Sequence, residues 1–480
     1  MENEIPNKLI CGDNLEELKK IPPESVDLIY IDPPFFSNKQ YEVVWGDEAE
    51  VRSFEDRWEG GVEHYIGWLR PRVEAMYETL KPTGSFYLHC DWHANAHIRI
   101  MLDDVFGAKN FQNEIIWQRT SARSDSKRIN HIHDMIFLYI MGENPIWNKQ
   151  YTSYSPEYTK RFYRHVDSET GRRFRVSDLT AAGTRQGESG QQWRGINPTG
   201  VGRHWAVPQM AFTAIGLEKA NKTVQEMLDI LDARGFIFWP KKKNGVPGFK
   251  RYLDEMPGTP LQSIWSDIPP IGAQAAERMG YPTQKPETLL ERIIKSSSNE
   301  GDVVSDAFCG CGTACVVAAR LKRKWIGIDI SPTAIKLIEK RLAAVNVEKD
   351  RDYVSIGSPN TIAELKALKP FEFQNWVVDE MSAKHSKRKV GDMGIDGYMD
   401  KDLFREAAGI QVKQSESIGR NVVDNFQAAL NRAKYKKGYI VAFSFGRGAI
   451  EEAARLKNAG DVDIELVRVE DLLYKKVTLK

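Results

Sequence analysis

The sequence predicts an α/β protein built on a mostly parallel sheet, interrupted by an insertion and followed by a second, smaller α/β block. Three observations carry this. Residues 1–141 alternate short apolar runs, "LICGD", "VDLIYID", "GSFYLHCD" and "MIFLYIM", with helix-like stretches such as "HYIGWLRPRVEAMYETLKP". Strands alternating with amphipathic helices are the pattern of a parallel sheet with crossover connections. From about 145 to 275 the periodicity fades, and Gly, Arg, Trp, Thr and Pro dominate, as in "AAGTRQGESGQQWRGINPTGVGRHWAVP". The α/β alternation then returns with "ETLLERIIKSSS", "DVVSDAF", a glycine turn, "TACVVAARLKR", "KWIGIDI" and "PTAIKLIEKRLAAV", which reads as the missing half of the first domain. A linker-like stretch, "SIGSPNTIAELKALKP" (355–370), precedes the last block.

At 480 residues the chain exceeds one core, and about 150 residues per domain suggests roughly three domains. No apolar run approaches the roughly 18 residues of a membrane span. The start, "MENEIPNKLICGDN", has neither a basic opening nor a small-residue cleavage site, so a cytoplasmic protein with no membrane partner is expected. The five cysteines, Cys11, Cys90, Cys309, Cys311 and Cys315, are too few and uneven for a disulfide framework. No further Cys or His stands near the last three to complete a zinc set. The net charge of +1 conceals a local excess: residues 145–275 hold 18 Lys and Arg against 12 Asp and Glu.

Taken in order, the first chemical feature is the exit of "VDLIYID" into Asp32, Pro33, Pro34 and Phe35. The prolines fix the backbone, so the Asp32 carboxylate and the Pro33 carbonyl can face one amino group while Phe35 offers a flat surface to a base. The second is "DAFCGCGTA" (306–314), where Gly310 and Gly312 let a ligand approach the backbone between a strand and a helix. Asp329, about twenty residues on, is placed to accept from ribose hydroxyls. A tight packing turn or a nicotinamide site would use the same glycines, but hydride transfer has no use for the Asp-Pro-Pro-Phe exit. In a parallel sheet Asp32, Asp306 and Asp329 all end strands at one edge.

These residues resemble the amino-methylating DNA methyltransferases that use S-adenosylmethionine, over most of residues 8–345. "DPPF" (32–35) is similar to their catalytic motif, "DAFCGCGT" (306–313) to their cofactor motif, and "PTQKPETLLERII" (282–294) to the segment preceding it. Smaller matches are "GSFYLHCD" (84–91), "NEIIWQR" (113–119) and "HDMIFLYIM" (133–141). Catalytic motif first and cofactor motif last is the family's beta arrangement. The resemblance implies a Rossmann-like, seven-stranded sheet with one reversed strand, divided into a catalytic half (1–144), a target-recognition region (145–275) and a cofactor half (276–354). It implies S-adenosylmethionine bound through Asp13, Lys285, Asp306, Phe308, Gly310, Gly312, Thr313 and Asp329. It further implies methylation of adenine N6 in duplex DNA, since aspartate at the first motif position usually accompanies adenine; cytosine N4 is the alternative. An exocyclic amino nitrogen is a poor nucleophile. Hydrogen bonds to Asp32 and the Pro33 carbonyl would favour its pyramidal form and align it for in-line attack, with the base flipped out and stacked on Phe35.

In the middle region Arg161, Arg164, Arg172, Arg173, Arg175, Arg185, Arg194 and Arg203 lie among Tyr151, Tyr163, Trp193 and Trp205, a composition suited to phosphates and guanine edges. In the last block, "VGDMGIDGYM" (390–399) and "GIQVKQS" (409–415) put Asp396 on one strand, and Gln411 with Lys413 on one face of the next. Two oxygen donors and a lysine suit magnesium-assisted phosphodiester hydrolysis. This block, 371–480, resembles the Mrr-like branch of the PD-(D/E)XK nucleases, also in "FQNWVV", "VVDNFQAALNRAKYKK" and "GYIVAFSF". It departs in one respect: where that family often has a helical glutamate stands Gln374, with Glu372 nearby. A tail that only grips DNA is the alternative, and no glycine-rich phosphate loop ending in Gly-Lys-Ser/Thr suggests a motor. Together these features imply a restriction–modification or defence protein acting on double-stranded DNA, with a homodimer left open.

Overall fold

The computed structural model describes residues 7–36, 40–45, 50–55, 61–120, 129–214, 222–242, 245–272, 274–279, 283–381, 383–385, 394–400 and 407–474. Parts of two expected motifs, Pro282 and residues 390–393, lie outside them. The chain divides into two compact units, one of Met1–Asn148 with Gln262–Lys480 and one of Lys149–Leu261.

The first unit is built on a nine-stranded sheet. Its order is Ile264–Trp265, Phe111–Gln118, His133–Ile140, Leu80–Cys90, Val26–Ile31, Val303–Asp306, Lys324–Asp329, Lys8–Cys11 and Val354–Ile356. His133–Ile140 runs antiparallel to both neighbours, and the other pairings are parallel. Seven strands with one reversed match the expected sheet; the structure adds two edge strands of two and three residues. All six residues of Val26–Ile31 are buried, because helices cover both faces of a parallel sheet. That double burial gives the continuous apolar run in the sequence.

The two halves of the sheet meet where Leu28 pairs with Val304 and Ile29 with Ser305. Asp27, buried in that strand, joins them. Its carboxylate takes both oxygens to Lys81 Nζ (2.8 and 2.9 Å) and accepts from the Val303 amide at 2.9 Å.

The last block forms its own mixed sheet in the order Lys384–His385, Gly397–Met399, Ala408–Lys413, Lys437–Ala442 and Asp463–Arg468. Helix Pro370–Glu380 packs on one face through Phe373, Trp376 and Val377 against Ile410 and Val412. Helices Arg420–Ala433 and Arg447–Asn458 cover the other through Phe426, Leu430 and Leu456. The stretch 355–370 contains a capped helix, Ile362–Ala367, whose Leu365 is buried in this core. The block also docks on the larger sheet's layer: Thr333 Oγ1 donates to Asp379 at 3.0 Å, and Lys336 pairs with Glu380 at 2.6 Å while lying over Trp376.

The second unit is less irregular than its sequence suggests. It holds a four-stranded antiparallel sheet, Ile237–Phe238, Gly248–Tyr252, Arg173–Asp178 and His165–Val166. Helix Val224–Ala233, capped by Thr223 and Glu226, closes a core of Trp193, Trp205, Leu228, Leu231 and Phe249. Here apolar residues far apart in sequence build the core, so no local period reveals it.

Replacing Asp27 with Ala would strip the Val303 amide of its acceptor and Lys81 of its partner at the seam. Asp27→Ala should destabilise the protein by about 2 kcal/mol in urea unfolding; an unchanged midpoint would show that strand pairing alone holds the halves together.

Candidate functional site

Parallel pairing brings the carboxyl ends of Val26–Ile31, Val303–Asp306 and Lys324–Asp329 side by side. Asp32, Asp306 and Asp329 line one cavity with Asp13, Phe35, Lys285, Phe308, Gly310 and Thr313. The expected site residues of this half therefore converge, with one exception. Gly312 does not line the cavity; a Cβ on it would lie 2.6 Å from Ile338, and its φ is +74°, so this glycine serves helix packing and the turn.

Asp329 ties the glycine turn to the following helix: one carboxylate oxygen accepts from Gly310 N at 2.8 Å and the other from Ser331 N at 2.9 Å. Burial raises its pKa to about 6 against the pull of those two amides. Asp306 is also shifted up, by burial, with the Phe308 amide opposing the rise and the charges of Asp32 and Asp329 adding to it. Asp13 caps the helix Asn14–Leu18 and pairs with Arg72 at 3.2 Å. Arg72 also donates to Asn14 Oδ1 at 2.8 Å and lies over Trp68, whose ring meets Phe308 at 5.7 Å.

Lys285, expected among the ligand contacts, forms an ion pair with Asp32 and lies 5.1 Å from the Phe35 ring centre. It satisfies Asp32 Oδ2. Asp32 Oδ1 is buried with no hydrogen-bond partner among the described residues.

Beneath Phe35 lies a network that motif reading missed. His89, fully buried, meets the Phe35 ring at 5.9 Å, Tyr30 Oη at 2.9 Å through Nδ1, and Asp134 at 3.2 Å through Nε2. Burial and then the charges of Asp32, Asp306 and Asp134 push the Tyr30 phenol well up, so it stays a donor. Burial works against ionised Asp134, but His89 and Arg119 outweigh it and hold its pKa below the usual range. One hydrogen bond therefore joins Tyr30 Oη to Nδ1, and Asp134, held ionised, accepts from Nε2–H. A signal is present, since His89 and Asp134 are ionisable residues inside the apolar runs of "GSFYLHCD" and "HDMIFLYIM", and a polar group in a buried strand needs a partner.

In the C-terminal block, Asp396 Oδ2 accepts from Val412 N at 2.6 Å, which anchors its carboxylate on the amide between Gln411 and Lys413. Gln411 is buried, donates through Nε2 to Gly394 O at 3.0 Å, and leaves Oε1 without a partner among the described residues. Glu372 is used elsewhere: it accepts from Lys369 N at its own helix start, and its charge, after burial and Asp329, helps push the Cys11 thiol up to about 12. Among the described residues no group of three or more His, Cys, Asp or Glu is placed to hold a metal ion.

Residues 26–340 match the sequence model of the N6/N4 DNA methylase family, and residues 365–474 match one described as restriction endonuclease. The type II methyltransferase M.EcaI of Enterobacter cloacae is 30% identical over 405 residues, spanning 81% of this chain and 82% of that protein. The DNA adenine methyltransferase YhdJ of Escherichia coli (strain K12) is 27% identical over 335 residues, 70% of this chain and 82% of that protein. Among solved structures, the PvuII DNA methyltransferase (cytosine-N4-specific) covers 71% of this chain and 89% of its own at 16% identity, with a TM-score of 0.35.

Two cysteines of the glycine turn, Cys309 and Cys311, line the cavity, yet burial raises both thiols, and it raises Cys90 as well. Since thiolates are the reactive species, Cys11, Cys90, Cys309 and Cys311 should resist a disulfide reagent at pH 8 in the folded protein and react once urea unfolds it. Fast labelling of Cys309 or Cys311 would show that the turn opens.

Proposed function

The chain belongs to the N6/N4 DNA methylase family and carries a C-terminal domain of the restriction endonuclease class, and on that premise we propose that it is a site-specific methyltransferase placing a methyl group on adenine N6 in duplex DNA. The observation that carries this is the half-used carboxylate of Asp32. Lys285 holds one oxygen; the other is buried, unpaired and beside Phe35, where an amino group stacked on that ring would donate to it. The Tyr30–His89–Asp134 network fixes Phe35 from below, so the stacking surface is rigid before the base arrives.

The cavity fits S-adenosylmethionine. Asp306, Asp329 and Asp13 place three carboxylates around it against Arg72 and Lys285, a balance suited to a cationic ligand, while Phe308 and Trp68 supply apolar surface for a purine. When bound, that cofactor would supply an electrophilic methyl on a sulfonium. Asp329 would accept from ribose hydroxyls, the turn at Phe308 and Gly310 would hold the adenosine, and Asp32 would orient the incoming amino nitrogen. The relative YhdJ, described as a DNA adenine methyltransferase, supports the choice of base.

For the tail we read a magnesium-dependent nuclease, in which Asp396 and the unpaired Gln411 Oε1 would bind the ion and Lys413 would approach the scissile phosphate. The fused activities would form a restriction–modification or defence protein.

Asp32→Ala should lower methyl transfer by at least about 100-fold while cofactor affinity, read by calorimetry, stays within a few-fold. Mass spectrometry of DNA treated with the parent should find N6-methyladenine. N4-methylcytosine in its place would overturn the base assignment, and near-normal turnover by Asp32→Ala would overturn the role of the residue. With magnesium or manganese, the parent should cut unmethylated or N6-methylated duplex and Lys413→Ala should not; equal cutting by both, or cutting by neither, leaves the tail as a DNA-gripping domain.

A further inference from the structure

The inserted unit treats its arginines in two ways. Arg172 pairs with Asp254 at 2.8 Å and Glu255 at 2.6 Å, Arg203 with Asp178 at 3.0 Å, and Arg194 with Asp229 and Asp232. These are held inside the unit. Arg175 and Arg251 differ. They stand directly opposite each other on the antiparallel strands Arg173–Asp178 and Gly248–Tyr252, so both side chains rise from the same face. Like charges in that position repel.

Neither is neutralised by a carboxylate among the described residues. Arg175 donates to Tyr158 Oη at 3.2 Å, and Arg251 contacts Met256 Sδ at 3.3 Å. The Nε of each is buried without an acceptor, and so is the Tyr163 hydroxyl, whose ring lies 5.8 Å from the Arg175 guanidinium. Burial, and then the charge of Arg175, hold Arg251 below the usual arginine range. Arg161 and Arg164 line one cleft with Arg175, again with no ion pair among the described residues. The unit supplies carboxylates to Arg172, Arg194 and Arg203 and, among the described residues, none to Arg175 or Arg251, so this face keeps unspent positive charge and unused donors.

We propose that Arg175 and Arg251 form a clamp for one backbone phosphate of duplex DNA, flanked by Arg161 and Arg164. The inference rests on the methyltransferase reading and assigns a contact that reading leaves open. Two forked guanidinium groups match the non-bridging oxygens of a phosphodiester, and the Tyr163 hydroxyl is a further donor. Such a contact sets the register of the insertion on the duplex and carries no base information itself.

The test uses the full chain in fluorescence-anisotropy titrations with two duplexes, one that it methylates and one of scrambled sequence. Arg175→Gln combined with Arg251→Gln should bind both about tenfold more weakly near 0.15 M salt. The slope of log affinity against log salt should shrink by about 0.9, as for one lost phosphate contact. Unchanged affinity and slope in a variant that keeps the parent's melting temperature would overturn the clamp. Loss confined to the methylated sequence would also overturn it, in favour of base reading. Stabilisation by inorganic phosphate alone, with duplex binding unaltered in the variant, would assign a free anion and overturn it too. Should the double variant not fold, a scan of the duplex with single neutral methylphosphonates decides with the parent protein alone, and a scan finding no sensitive position overturns the proposal. A parent that binds and methylates no duplex would instead remove the reading on which the clamp rests.

Discussion

Parallel pairing of three central strands is the constraint on which the rest of this molecule depends. Val26–Ile31, Val303–Asp306 and Lys324–Asp329 lie side by side, so whatever follows each strand must emerge at one edge of the sheet. Asp32, Asp306 and Asp329 occupy those three exits and line one cavity. Burying carboxylates is unfavourable: burial raises Asp329, and burial with the added charges of Asp32 and Asp329 raises Asp306. The structure meets that strain with backbone amides on Asp329, Lys285 on Asp32 and Arg72 on Asp13. The same negative surroundings give a cationic cofactor a reason to enter.

The methyltransferase half was legible because its signals are local. A strand buried on both faces reads as an unbroken apolar run, and turns at prolines and glycines are written in adjacent residues. What escaped depends on distance. Nothing near Lys285 in the chain says that it meets Asp32, and the partnership of His89 with Asp134 and Tyr30 exists only after three strands align. Gly312 differs from its expected role for a related reason: the group that approaches it closely is Ile338, which is distant in sequence. The insertion's core of Trp193, Trp205 and Phe249 is likewise gathered from segments with no common period.

In the C-terminal block one expected carboxylate is anchored on the neighbouring strand, while the acid nearest the altered helical position is used elsewhere. The Asp396 carboxylate accepts from the Val412 amide, which lies between Gln411 and Lys413 on the neighbouring strand. Glu372, the acid nearest to the position where the helical glutamate is missing, is spent on its own helix start and on the side near Cys11. The stretch 355–370 is also more structured than its composition suggests, since Leu365 plugs the block's core. Through Asp379, Glu380 and Trp376 the block rests on helix Pro332–Ala344, whose first turn follows Asp329 directly.

The seam at Leu28 and Val304 has a consequence for the birth of the protein. Its partners are 276 residues apart, so a ribosome that has finished the first half has released a sheet whose central strand, Val26–Ile31, still lacks one neighbour. Non-local pairing of this kind is slow, and an exposed apolar strand edge is a template for other chains. The insertion, with a hydrophobic core of its own, can complete its folding during that wait. A nascent chain stalled before residue 303 would therefore hold one finished unit and one open edge, and would depend on chaperones until the missing strands emerge.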